Sequence, residues 1–239
     1  MVDILNTGER ILLEKETPLM IARHFCAYKF AENYAHNKIV MDVGCGEGYG
    51  SYYLSSFAKQ VVGIDYDKEI INYAKNKYQK DNLSFYVLEA ESLGSLNNKF
   101  DIICSFQVIE HMRNTKLFLE NIKNLLNDNG ILICSTPNKL DASPHSSVPV
   151  NKFHVKEYLY DEFKELLGSY FRKIDIYGLK RGKRFNFYRR VKKIGVCNFL
   201  PASLNPVKKF YSQINCNDFV IVKNNLDTAL DFIAVCVKT

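Results

Sequence analysis

The run from Ile39 to Asp65 constrains this chain more than any other segment. Ile39-Val40-Met41-Asp42-Val43 has the pattern of a short buried strand, and it passes through Gly44, Gly46, Gly48 and Gly50 into the helix-compatible Tyr52-Tyr53-Leu54. That order reads as strand, tight turn and helix. Glycines in such a turn let the backbone reach positive φ and leave room for a ligand against the main chain. A second apolar run, from Gln60 to Ile64, ends in Asp65, 21 residues after Gly44. A carboxylate at the C-terminal end of a strand at that distance can accept hydrogen bonds from both hydroxyls of a ribose. The segment therefore predicts a nucleoside site.

Glycine spacing discriminates between ribose cofactors. The dinucleotide fingerprint places glycines at positions one, three and six, so that a pyrophosphate sits on the helix N-terminus. Counted from Gly44, the sixth position is Tyr49. The run Asp42-Val43-Gly44-Cys45-Gly46-Glu47-Gly48 instead resembles the first motif of the class I S-adenosylmethionine-dependent methyltransferases, whose glycine turn accommodates the methionine part of a cofactor without phosphate. The likeness continues in Glu89-Ala90-Glu91, which resembles the acidic-Ala pair that meets the adenine, although Asp is commoner than Glu at that place. It continues again in Phe100-Asp101-Ile102-Ile103-Cys104-Ser105-Phe106-Gln107-Val108-Ile109-Glu110-His111, which is similar to the fourth strand and the loop beneath the sulfonium.

The resemblance implies S-adenosylmethionine as cofactor and S-adenosylhomocysteine as product. It places Asp42, Gly44, Cys45, Gly46, Gly48, Asp65, Tyr66, Glu89, Ala90, Glu91 and Gln107 around that cofactor, with Arg10 reaching in from the leading segment. Its fold is an α/β, Rossmann-like, seven-stranded and mostly parallel sheet with helices on both faces. The signal Asn127-Asp128-Asn129-Gly130 breaks the chain before a fifth buried strand, Ile131 to Thr136. Phe171 to Tyr177 reads as a sixth strand and Asp231 to Lys238 as the last, which the family runs antiparallel. A helix is expected over Val155 to Leu167.

At 239 residues, with 47% hydrophobic and 24% charged, the chain is sized for one α/β domain. Its expected parts are a helical cover over 1–36, a cofactor-binding core over 37–178, an insert over 179–228 and a last strand over 229–239. No run approaches the roughly 18 apolar residues of a membrane span, and the N-terminus lacks the pattern of a signal peptide, so a cytoplasmic location is expected. The seven cysteines are scattered and include no Cys-x-x-Cys pair, which reads as reduced thiols used mostly in packing.

Two accessory pieces flank the motifs. Gly8-Glu9-Arg10 and Arg23-His24-Phe25-Cys26-Ala27-Tyr28-Lys29-Phe30-Ala31 resemble a branch of the same family that works on bacterial surface sugars and similar metabolites; there the leading segment helps to close the site. Near the C-terminus, Lys180 to Lys193 holds eight basic residues and no acidic one, in a chain of net charge +6. Basicity is thus local. The run is expected as a lid that follows the sixth strand and grips an anionic acceptor, with Arg184, Arg189 and Tyr188 as substrate-binding residues. RNA is the alternative partner, but no RNA-binding module accompanies the run. The metal site of terminal-nucleotide 2′-O-methyltransferases, Glu-x-x-Glu-His-His, is not matched because Met112 follows Glu110-His111, so no metal is expected.

A hydroxyl acceptor must lose a proton. His154, in an Asn151-Lys152-Phe153-His154-Val155-Lys156-Glu157-Tyr158 element similar to one in the sugar-directed branch, is the first candidate base, and His111 the second. The expected function is O-methylation of a small anionic metabolite or glycan precursor bearing phosphate or phosphoramidate. The alternatives are an RNA methyltransferase and a cofactor-binding regulator without catalysis.

Overall fold

The computed structural model describes residues 11–238. Five parallel strands, β1 (Ile39–Val43), β2 (Gln60–Asp65), β3 (Leu83–Val87), β4 (Phe100–Phe106) and β5 (Leu126–Pro137), form most of the sheet. β8 (Asp231–Val237) lies between β5 and β6 (Lys173–Arg181) and runs antiparallel to both. β7 (Phe219–Val222) closes the edge antiparallel to β6, giving the order β3-β2-β1-β4-β5-β8-β6-β7. The sheet therefore has eight strands rather than the expected seven. The extra strand lies within the stretch read as an insert; it is only four residues long and outside any motif.

Side-chain alternation explains why both faces need helices. Met41, Val43, Ile103, Leu132 and Cys134 belong to one apolar cluster, and Val40, Ile102, Cys104 and Ile133 to another. Strands buried on both faces must be covered on both. α4 (Thr115–Leu125) and α6 (Tyr160–Gly168) cover the first face through Phe118, Ile122, Phe163 and Leu167. α1 (Pro18–Ala35) and α2 (Tyr49–Leu54) cover the second through Ala27, Ala31, Ala35 and Leu54. α1 starts where Thr17 accepts a hydrogen bond from the Met20 N–H and Pro18 occupies the first turn. α3 (Lys68–Lys77) is capped by Asp67 and buries Ile70, Ile71 and Ala74.

Three further boundaries differ from expectation. Asn127 to Gly130 is a bulge within β5 and not a separating turn: the pairing with β4 slips between Phe100 and Ile102, and Asn129 takes φ +61°. α5 (Lys139–Ala142) is a single turn, and α6 begins at Tyr160, five residues after the expected start. Residues 151–157 instead form a loop that docks on the end of β4. Finally, α7 (Lys183–Ile194) and α8 (Pro206–Ser212) pack against the sheet edge and α1, with Phe185, Phe210 and Phe219 joining Ala22 and Cys26 in one cluster.

Strand order positions the site. The chain fills the sheet outward from β1 through β2 to β3, then reverses from β4 to β5, so the loops after β1 and β4 diverge at the sheet's centre. Open α/β sheets bind ligands in that crevice. Among the described residues, no helix is long and apolar enough to cross a membrane.

Candidate active site

A cavity of about 530 Å³ opens at this switch point, within the usual size for cofactor sites. Its described lining runs from Ile11 to Arg113 in sequence. Gly44 and Gly46 form its floor in left-handed conformations, φ +73° and +53°. The N–H groups of Gly44 and Cys45 both donate to the Ile64 carbonyl at 2.9 Å, fixing the turn to the end of β2. A Cβ on Gly44 would lie 2.4 Å from Val108 Cγ2, whereas one on Gly46 would meet no atom within 4 Å. The first glycine is demanded by packing, and the second leaves space for a ligand.

Asp65 ends β2 at the cavity wall, where its Oδ2 accepts from the Gly46 N–H at 3.0 Å and its Oδ1 from the Asp67 N–H at 3.1 Å. An ionised carboxylate accepts through both oxygens, the chemistry a ribose diol needs. Tyr66, Glu89, Ala90 and Glu91 continue the wall at the ends of β2 and β3, and Cys45 and Gln107 also line it. Gln107 is held at φ +57°, its N–H donating to the Ser135 carbonyl at 3.0 Å and its amide reaching Asp231 Oδ1 at 3.4 Å.

Two predicted contacts lie behind the cavity and not in its lining. Asp42 is fully buried and accepts from Ser51 Oγ at 2.6 Å and the Tyr28 hydroxyl at 3.2 Å. Burial pushes its carboxyl up to about 7 against the pull of those two hydrogen bonds. Gly48 packs where a Cβ would meet Phe85 and Ala74, at 2.7 and 2.9 Å. Both shape the turn from outside the described lining. Arg10 lies outside the described residues.

The leading segment does form part of the wall, through Ile11, His24 and Tyr28. Burial holds the His24 imidazole down to about 4, with Arg23 adding and Asp231 opposing, so it is neutral near pH 7. Arg23 does not face the cavity: it grips Asp231 with two bonds of 2.6 and 2.7 Å and so ties α1 to the start of β8. The leading segment's resemblance brings Tyr28 to the site, whereas Phe106 and Tyr49 carry no motif signal for the cofactor. Their signal is an aromatic cluster, Tyr28 meeting Phe106 at 4.8 Å and Tyr49 at 5.6 Å.

At the far side of the cavity stands His111, on a 3-10 turn at Ile109–His111. His154 does not line the cavity; its ring lies 5.0 Å from that of His111, edge to face. The Glu110 carbonyl accepts from the N–H groups of Val155 and Lys156 at 2.7 and 3.1 Å, which docks the 151–157 loop here. His111 Nδ1 contacts the Phe153 carbonyl at 2.9 Å, and His154 Nδ1 contacts Glu157 Oε1 at 2.8 Å. Burial pushes the Glu110 carboxyl up to about 8.

The basic run is elsewhere. Arg184, Tyr188 and Arg189 are absent from the described lining: Arg184 pairs with Asp218 at 3.3 Å, Tyr188 stacks on Phe210 at 4.4 Å, and Arg189 is exposed. α7 follows β6 on the side of the sheet edge, where Phe185 anchors it to α8 and β7.

A family model described as "Methyltransferase domain" matches residues 35–174. A Mycobacterium tuberculosis protein named "Probable S-adenosylmethionine-dependent methyltransferase" is 31% identical over 164 residues, covering 67% of this chain and 58% of the relative. A ubiquinone biosynthesis O-methyltransferase of Pelagibacter ubique is 33% identical over 101 residues, 42% of each. The chain thus spans less than two thirds of the length of these relatives. The crystal structure of magnesium protoporphyrin IX methyltransferase from Synechocystis, with bound S-adenosylhomocysteine, superposes with a TM-score of 0.57 at 15% identity, covering 92% of this chain and 83% of that one. That likeness is one of fold.

Proposed function

Because the chain belongs to the methyltransferase domain family, whose model matches more than half of it, we propose that its cavity binds S-adenosylmethionine and that the protein methylates a hydroxyl of a small molecule. The observation that carries this reading is the composition of the lining. Among the described residues of the lining are three carboxylates, Asp65, Glu89 and Glu91, and one guanidinium, Arg113, and His24 is neutral. Such a surface disfavours a pyrophosphate and favours a ligand carrying a sulfonium and an ammonium. Gly46 supplies open space beside the backbone, and Asp65 supplies the ribose acceptor. These residues fit the cofactor.

Bound there, S-adenosylmethionine supplies an electrophilic methyl group on a sulfonium. What the chain must add is orientation of an acceptor atom, worth on the order of 7–11 kcal/mol when well made, and a place for the acceptor's proton. His111, which lines the cavity, and His154, whose ring lies 5.0 Å from it, are the candidate proton acceptors. A hydroxyl acceptor is favoured over an ionised one because Arg113 is the only cationic side chain of the described lining. The Pelagibacter relative is likewise an O-methyltransferase by name. Glycan precursors stay within this class on the strength of the leading segment's resemblance.

The test is to incubate the protein with S-adenosylmethionine and a panel of phenols, free sugars and nucleotide sugars, and to measure S-adenosylhomocysteine released. Release that depends on a hydroxylic acceptor supports the reading. Tight cofactor binding without turnover of any acceptor would favour a cofactor-binding regulator instead.

A further inference from the structure

α7 carries two apolar stripes, and the protein itself packs against one of them. Phe185 and Tyr188, three residues apart, pack against Phe210. Phe187, Val191 and Ile194 stand at i, i+4 and i+7, a single stripe on the opposite side of the helix. Phe187 is exposed, and Ile194 is 72% exposed. Lys183 and Arg190, both exposed, border this second stripe.

The apolar surface continues past the helix. Gly195 takes φ +80° and ends α7, and the connection to Asn205 presents Val196, Phe199, Leu200 and Leu204, with Phe199 95% exposed. That connection is a folded loop. The N–H groups of Asn198, Leu200 and Leu204 donate to the carbonyls of Gly195, Cys197 and Pro201, while the buried Asn205 donates to the Cys197 carbonyl and caps α8. Single apolar side chains on a surface need no explanation. Here, however, six of the seventeen exposed large hydrophobic residues of the described chain fall within 187–204, which is a concentration and not scatter. From Lys180 to Asn217 the sequence holds ten basic residues and no acidic one, so the same surface attracts negative charge.

We infer that α7 and the loop to Asn205 dock on the surface of an anionic phospholipid bilayer. Phe187, Ile194, Phe199 and Leu204 enter the boundary between headgroups and acyl chains, and Lys183, Arg190 and Lys193 meet lipid phosphates. An apolar stripe bordered by Lys and Arg is the chemistry of an interfacial helix, and a polybasic segment adds attraction to an anionic leaflet. Nucleic acid fits less well, because Ile194, Val196, Leu200 and Leu204 offer bases no aromatic face to stack on. A second copy of this chain also fits less well, because a two-fold contact would bring like charges together. The inference does not depend on the identity of the methyl acceptor.

The full-length protein is sedimented with vesicles of phosphatidylcholine and, separately, with vesicles that also contain phosphatidylglycerol. Binding to the anionic vesicles should be tighter by roughly tenfold or more and should weaken with salt. Replacing Lys183, Arg190 and Lys193 together with Gln should weaken it roughly hundredfold, about fivefold per charge. Phe199→Ser combined with Leu204→Ser should weaken it by more than roughly tenfold. All five side chains are exposed, and thermal unfolding that matches wild type shows that each variant keeps the fold. The chain has no tryptophan, so Phe199→Trp reports on one position: its emission should shift to the blue on adding anionic vesicles and be quenched by brominated acyl chains. No uptake by anionic vesicles overturns the inference, as does equal uptake by neutral ones or an unshifted emission from Phe199→Trp. Vesicle binding unchanged in Phe199→Ser with Leu204→Ser also overturns it, since charge alone would then account for the uptake. Wild-type protein that binds unrelated RNA more tightly than anionic vesicles would reassign the surface to nucleic acid.

Discussion

Tyr28 on the leading helix donates its hydroxyl to Asp42 Oδ2 at 3.2 Å, and so joins the cover of the cavity to the strand that carries the glycine turn. Ser51 donates to the same oxygen at 2.6 Å. Tyr28→Phe keeps the ring against Phe106 and removes one donor to a buried carboxyl, which should cost about 1–2 kcal/mol. Urea unfolding measures it. An unchanged midpoint would mean that the hydroxyl contributes nothing to holding the helix.

Burial pushes the Asp42 carboxyl from 3.8 up to about 7. A carboxyl whose folded-state pKa is raised holds its proton more tightly in the folded state, so its contribution to stability falls as pH rises from about 4 to about 7. Asp42→Asn cannot titrate. The stability of this variant relative to wild type should therefore move in the variant's favour across that window and level off above it. A pH-independent difference would show that Asp42 is not the group responsible.

Gly44 should not tolerate a side chain. Its φ of +73° strains any other residue by on the order of 1–3 kcal/mol, and an added Cβ would meet Val108 Cγ2 at 2.4 Å. Gly44→Ala should weaken S-adenosylhomocysteine binding more than tenfold by pushing Val108 into the cavity. Adding Val108→Ala should restore part of the loss, because it removes the clash but not the strain. Full affinity in the single variant would contradict this packing.

How much of this was legible in the sequence depends on range. Gly44, Gly46, Asp65, Glu89 and Gln107 were readable because each ends a strand whose apolar pattern is local, and the structure places all five around one cavity. Asp42 and Gly48 belong to the same motif but serve packing behind it, a distinction that motif spacing does not contain. The Gln107 contact with Asp231 spans 124 residues, and the Arg23 grip on the same carboxylate spans 208, so neither has a local signature. The position of the basic run was not readable from its charge, because Phe185, and not a basic residue, anchors α7 to the sheet edge.

That placement gives a fourth expectation. Arg184 is 58% exposed and pairs with Asp218, outside the described lining. Replacing Arg184 and Arg189 together with Gln should change neither cofactor affinity nor the acceptor's KM by more than about twofold, since surface pairs are worth roughly 0–1 kcal/mol. A large rise in KM in steady-state assays would bring the basic run back to the acceptor site.

The most direct test of the central claim is calorimetric titration of the protein with S-adenosylhomocysteine and, separately, with a nicotinamide dinucleotide. The carboxylate-rich cavity predicts one equivalent of the former and no measurable binding of the latter. Asp65→Asn should reduce the affinity by roughly tenfold or more, the loss of about 1.5–3 kcal/mol that accompanies a charge-assisted hydrogen bond. Absence of S-adenosylhomocysteine binding, or tighter binding of the dinucleotide, would contradict the account.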